Sequence, residues 1–153
     1  MSFEMIKDDI VNLSVDADGV VCAVNPDPTA PLSVESRMYQ QGGTELAAAR
    51  QSVGLLELGQ AAITMGYDLD SIYMIHVAVP TWKDGTQGEA ELLTTCYEAA
   101  LELAYTHNCR SAAFQLLGVG ELGFPEELAK EVATKALETF LVDHEMEIYL
   151  VTP

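Results

Sequence analysis

Two continuous apolar runs constrain the fold more than any other feature of this chain. The segment "GVVCAVN" covers residues 19–25 and "IYMIHVAVP" covers residues 72–80, and neither alternates between apolar and polar side chains. A strand is apolar at almost every position when both faces of its sheet are covered by other elements. The two runs therefore predict central strands of a sheet that is buried on both sides.

Helical patterns alternate with further strands along the chain. Shorter strands are predicted at residues 3–7, 60–65, 110–117 and 146–151, and "DDIVNL" at residues 8–13 reads as one helical turn capped by Asp8 or Asp9. Amphipathic helices are predicted from Ser33 to about Leu56 with a break at Gly42–Gly43, from Glu89 to about His107, and from Pro125 to about Val142. This alternation predicts one α/β domain over residues 1–153, built as a three-layer α/β/α sandwich.

The charge balance excludes several classes of partner. The chain carries 24 acidic and 7 basic residues, for a net charge of −17. Such a chain cannot neutralise a run of phosphates, so we expect no nucleic-acid partner and no anionic membrane partner. Its three cysteines have no C-x-x-C spacing, and we see neither a secretory signal nor an apolar span. We therefore expect a cytoplasmic protein with no metal site and no cofactor.

A glycine-rich turn follows the predicted strand at residues 110–117. Gly118, Gly120 and Gly123 spell G-x-G-x-x-G, but only one strand follows them, which is too few for a dinucleotide-binding sheet. The turn is either a sharp connection or a set of backbone amides that bind an anion. Glutamates in and after the turn argue against the second alternative, because a carboxylate can take the place of an anionic ligand.

Four blocks in order resemble the macro domain, an ADP-ribose-binding family. They are "IKDDIVNLSVDADGVVCAVNP", "GLLELGQAAITMGYDL", "YMIHVAVPTW" and "CYEAALELAYTHNCRSAAFQLLGVGELGFP", and together they span nearly the whole chain. The resemblance implies a three-layer α/β/α fold with a mixed sheet. It also implies a cleft above the sheet that holds ADP-ribose or a related nucleotide.

The resemblance further implies a set of ligand contacts. Asp9, followed by Ile10, matches the aspartate that binds the adenine amino group, although a capping role is the alternative. Cys22 stands where the family's N-A-A-N motif has its first asparagine, and Asn25 keeps the second, which would bond the distal ribose or else cap the strand end. The pyrophosphate would lie on the second glycine loop, formed by Gly118, Val119, Gly120, Glu121 and Leu122.

The first phosphate loop departs from the family pattern. Residues 29–36 read "TAPLSVES" where the family has L-G-G-G-G-V-D-G, so no glycine remains and Pro31 has no N–H to offer. Glu35 falls where catalytically active relatives carry an aspartate, and Tyr39 where they often carry a histidine. Asn25 and Glu35 are thus the candidate catalytic residues for de-ADP-ribosylation, in which a carboxylate stabilises an oxocarbenium-like transition state. Glu35 is one methylene longer than aspartate, and the alternative is a solvated residue at a helix start.

His76 lies within an apolar strand and is expected to be a hydrogen-bonded core histidine; no spacing supports a Cys22–His76 nucleophile pair. Three functions remain open. The chain is a divergent macro domain that binds ADP-ribose or a related nucleotide, with or without weak hydrolase activity, or a macro-fold interaction module that no longer binds nucleotide. The third alternative is a protein that binds another small anion.

Overall fold

The computed structural model describes residues 3–153 of the chain. Its elements, in chain order, are β1 Glu4–Lys7, β2 Gly19–Val24, α1 Ser33–Gly42, α2 Thr44–Val53, β3 Ala61–Met65, β4 Tyr73–Ala78, α3 Glu89–Thr106, β5 Ser111–Gln115, α4 Glu126–Asp143 and β6 Glu147–Thr152. Within residues 3–153, no helix is long and apolar enough to cross a membrane.

The six strands form one mixed sheet in the order β1-β6-β5-β2-β4-β3. Every neighbouring pair is parallel except β3 and β4, which are antiparallel at one edge. The two apolar runs of the sequence, β2 and β4, lie side by side near the middle, with Gly19 opposite Tyr73 and Val24 opposite Ala78. The predicted α/β class and mixed sheet are confirmed.

Alternate side chains of β2 enter two different cores. Val20 and Cys22 pack on the face that also contacts Met38 of α1. Val21 and Ala23 pack on the opposite face, against the core that α3 and α4 cover. Because successive strand residues point to opposite faces, a strand covered on both sides has to be apolar throughout. The apolar runs therefore predicted the three-layer sandwich correctly, because helices cover both faces of the strand.

Two local predictions need correction. Residues 8–13 form a hydrogen-bonded turn rather than a helical turn, with the Asn12 amide donating to the Asp9 carbonyl at 3.0 Å. A helix of only six residues is too short to repay the cost of its own nucleation. Pro125 lies one position before the first helical residue of α4.

The parallel strands bring several chain segments to one edge of the sheet. Strands β1, β6, β5 and β2 all run in the same direction, so their carboxyl ends meet at this edge. The turn after β1, the loop after β2 and the glycine loop after β5 therefore lie together. In open α/β sheets, ligands bind in a crevice outside these carboxyl ends.

Candidate functional site

A cleft of about 760 Å³ opens at the carboxyl edge of the sheet. Its walls come from the turn after β1, the start of α1 and the glycine loop after β5. Of the predicted ligand-binding residues, those that line the cleft are Asp9, Ile10, Gly118, Val119, Gly120, Glu121 and Leu122. Cys22 and Asn25 do not line it.

The glycine loop has a conformation that requires glycine. Gly118 and Gly120 have φ values of 92° and 87°, in the left-handed region that other residues rarely adopt. The Phe124 amide donates to the Gly118 carbonyl at 2.9 Å, and a Cβ on Gly118 would lie 2.7 Å from the ring of Phe124. Among the described residues, the amides of Val119, Gly120 and Glu121 have no hydrogen-bond partner. These donors remain available to a ligand at the cleft.

Glu35 is buried behind the first loop and is not solvated, so that expectation is wrong. Its side chain has 0% exposure. One carboxylate oxygen accepts hydrogen bonds from the amides of Asn25 and Leu32 at 3.0 and 2.8 Å, and the other accepts one from the hydroxyl of Tyr39 at 2.5 Å. These three donors compensate the charge for its loss of water. Burial and the neighbouring Glu35 carboxylate raise the pKa of Tyr39, which stays protonated.

Arg50, which the sequence analysis did not select, holds the same loop from the other side. It is fully buried, with 0% exposure. Its guanidinium donates to the carbonyls of Gly54 at 2.7 Å, Asn25 at 3.0 Å and Pro26 at 3.2 Å. The only signal in the sequence is its position one helical turn after the buried Leu46 in α2. A buried anion and a buried cation thus both hold the backbone of Asn25, at the start of the loop after β2.

Asp9 has the capping role, one of the two roles that the sequence left open. Its Oδ1 accepts a hydrogen bond from the Val11 amide at 3.1 Å, which caps the turn, and its Oδ2 accepts one from the guanidinium of Arg37 at 2.6 Å. The bond from Arg37 holds the pKa of Asp9 below its usual value, against the opposing effect of partial burial. The carboxylate remains at the cleft surface, where it can accept a hydrogen bond from a ligand.

Asn25 caps the end of β2, as its alternative role predicted. Its side-chain oxygen accepts a hydrogen bond from the Asp27 amide at 3.0 Å, which forms a local turn before the prolines. Asn25 lines a second pocket of about 340 Å³, which shares Leu32 and Leu122 with the main cleft. The predicted contact of Asn25 with a distal ribose would have to be made from that side.

Cys22 and His76 lie opposite each other on β2 and β4. Both have 0% exposure, and burial is the main cause that raises the pKa of the Cys22 thiol and lowers the pKa of His76 to about 3. The His76 ring pairs with the hydroxyl of Thr64 at 2.9 Å, which confirms a hydrogen-bonded core histidine. A neutral thiol and a neutral imidazole without access to solvent do not form a nucleophile pair.

One hydrogen bond crosses the mouth of the cleft between its two loops. The carboxylate of Glu121, in the glycine loop, accepts a hydrogen bond from the amide of Ser33 at 2.8 Å. Ser33 is the first residue of α1, where backbone amides have no partner within the helix. An internal anion therefore occupies a position at which the positive end of the helix would favour an anionic ligand.

Comparison with known proteins identifies the family. The macro domain model matches residues 21–133. A macro domain-containing protein of Chlorobaculum tepidum is 38% identical over 138 residues, which cover 90% of this chain and 79% of that protein. A protein of Klebsiella pneumoniae named O-acetyl-ADP-ribose deacetylase is 35% identical over 142 residues, covering 90% of this chain and 80% of that protein.

A solved structure shows the same architecture. The Oceanobacillus iheyensis macrodomain with ADP matches this structure with a TM-score of 0.87 and 26% identity, covering 97% of this chain and 80% of the other. The sequence resemblance, the family model and the shared fold agree. The chain belongs to the macro domain family.

Proposed function

We propose that this protein binds ADP-ribose or a closely related nucleotide in the 760 Å³ cleft. The unpaired amides of the glycine loop carry the proposal, because they supply donors for a diphosphate in a chain with net charge −17. Asp9, which lines this cleft, would accept a hydrogen bond from the adenine amino group. The ADP of the Oceanobacillus iheyensis structure and the name of the Klebsiella relative support a ligand of this class.

The cleft geometry supports binding better than hydrolysis. Glu35 has 0% exposure, and both of its oxygens already accept hydrogen bonds from Asn25, Leu32 and Tyr39. A carboxylate that steers water or stabilises a ribosyl cation must reach the reacting atoms, at about hydrogen-bond distance. We therefore assign Glu35 to positioning of the first loop rather than to the chemistry of bond cleavage.

The second candidate, a macro-fold interaction module that no longer binds nucleotide, has one observation in its favour. Glu121 already occupies the Ser33 amide at the cleft mouth. The acidic surface makes a nucleic acid or an anionic membrane an unsuitable partner for either function. The three free, buried cysteines suit a reducing cytoplasm, where we place the protein.

Thermal denaturation with ADP-ribose separates the two functions. A ligand at one hundred times its dissociation constant adds about 2.7 kcal/mol to the free energy of unfolding. For a chain of this size that corresponds to a rise in Tm of roughly 5 to 10 °C. Adenosine, which lacks the diphosphate, is the matched ligand and should give a smaller rise. An unchanged Tm at millimolar ADP-ribose, with no heat in calorimetry, would favour the interaction module.

The adenine contact is tested with Asp9→Ala. Removing a charged acceptor from a ligand's amino group is expected to weaken ADP-ribose binding about tenfold in isothermal titration calorimetry. Asp143→Ala is the control, since Asp143 is an exposed carboxylate at the end of α4 and is not among the cleft residues. Equal affinities of the two variants would place the adenine elsewhere.

A further inference from the structure

The Glu121–Ser33 hydrogen bond joins residues 88 positions apart in the sequence, and both residues line the cleft. It connects the glycine loop to the first turn of α1, and both segments line the cleft. No other side chain of the glycine loop accepts a hydrogen bond from α1 within residues 3–153. The position of Glu121 therefore affects both halves of an anion site at once.

The Ser33 amide is a donor of the kind that a phosphate oxygen would accept from. It stands at the N-terminus of a ten-residue helix, where the unpaired amides and the helix dipole favour a negative charge. The Glu121 carboxylate satisfies that donor. A diphosphate and Glu121 cannot both hold this amide, and their like charges repel at short range.

The Glu121 carboxylate can leave its position at low cost. Glu121 and Ser33 are both exposed, so water can replace each partner when the bond opens. Glu35 differs from Glu121 in this respect. Its carboxylate binds amides of the loop after β2, but it is fully buried, so its movement would leave those amides unpaired inside the protein. The exposed glutamate is thus the movable anion of the site.

We infer that Glu121 is an internal competitor of the ligand's diphosphate, which has to leave the Ser33 amide before a diphosphate can bind there. This inference rests on the proposed function. Glu121 then determines specificity, because it lowers the affinity for diphosphate-bearing ligands and leaves the affinity for an uncharged nucleoside unchanged. Its side chain is a positioning group of the cleft and takes no part in bond cleavage.

Calorimetric titration of the full chain with ADP-ribose and with adenosine tests the competition. Glu121→Gln removes the charge and keeps the size of the side chain, and it is expected to bind ADP-ribose about threefold to tenfold tighter than the wild type. Its affinity for adenosine should stay within about twofold. Glu127→Gln is the matched control, because Glu127 is an exposed carboxylate of α4 outside the cleft and its loss changes the net charge equally.

Nuclear magnetic resonance of the Ser33 amide gives a readout that a change in stability would not produce. The amide resonance should shift when ADP-ribose is added to the wild type and should not shift with adenosine. An ADP-ribose affinity of Glu121→Gln that is equal to or weaker than the wild type would overturn the inference, as would the same gain in Glu127→Gln. These two outcomes would contradict the competition but not the proposed function, because the proteins would still bind ADP-ribose. If the wild type and both variants failed to bind ADP-ribose, the proposed function and the competition would both be wrong.

Discussion

Glu35→Ala is expected to lower the free energy of unfolding by about 3 to 5 kcal/mol, because it removes the charged acceptor of three hydrogen bonds. The substitution leaves the amides of Asn25 and Leu32 without their acceptor inside the protein. Each unsatisfied buried donor costs about 1 to 3 kcal/mol. Urea denaturation of the wild type and the variant measures the loss.

Glu35→Gln is the matched variant. Glutamine keeps an acceptor oxygen for the two amides and fills the same volume, so we expect a loss of about 1 to 2 kcal/mol, smaller than that of the alanine variant. Since Glu35 is buried outside the cleft lining, the glutamine variant should bind ADP-ribose with nearly wild-type affinity. An alanine variant as stable as the wild type would contradict the structural role. If the wild type has a measurable hydrolase activity and the glutamine variant folds normally but lacks it, Glu35 takes part in bond cleavage.

The fold was predictable because its determinants are local patterns of burial. The runs at residues 19–25 and 72–80 are apolar throughout because β2 and β4 have covered faces on both sides. The glycine loop was also visible, since three glycines between a strand and a helix mark backbone that other residues cannot adopt. Burial on both faces of a strand and left-handed backbone both restrict the residue types of a short segment. A single sequence is therefore enough to predict them.

The buried charges at the first loop were not predictable in the same way. Glutamate is almost never fully buried unless it is paired, so a glutamate near a helix start is expected to be solvated. The hydrogen bonds of Glu35 depend on where the loop after β2 turns back toward α1. The sequence positions of its partners Asn25, Leu32 and Tyr39 do not form a regular pattern that predicts these contacts. Only the i,i+4 spacing of Glu35 and Tyr39 on α1 could have suggested a contact.

The hydrogen bond between Glu121 and Ser33 across the cleft mouth was even harder to predict from the sequence. Glu121 and Ser33 are 88 residues apart, and their approach results from the parallel order of β2 and β5 in the sheet. The sequence showed that a glutamate near the glycine loop could take the place of an anion. Which amide it would occupy follows only from the assembled fold.

Arg50→Met is expected to lower the free energy of unfolding by about 3 to 5 kcal/mol, because it removes a charged donor that binds three backbone carbonyls inside the protein. Methionine has a similar length and leaves the carbonyls of Gly54 and Asn25 without their donor, while the Pro26 carbonyl keeps the amide of Leu56 at 3.0 Å. Arg50→Lys keeps the charge but lacks the planar fork that reaches several carbonyls at once, so an intermediate loss is expected. A methionine variant within about 0.5 kcal/mol of the wild type would show that water replaces the guanidinium, contrary to its complete burial.

The double variant Glu35→Gln/Arg50→Met tests whether the two charges act together. Glu35 accepts from the amide of Asn25 and Arg50 donates to the carbonyl of the same residue, so both charges hold one short piece of backbone. Removing the second charge should cost less once the first is gone, and the double variant should be more stable than the sum of the single losses by about 0.5 to 3 kcal/mol. Additive losses in urea denaturation would mean that each charge acts only through its own hydrogen bonds. A positive coupling would mean that the loop lacking the family's glycines is held in place by an anion and a cation that depend on each other.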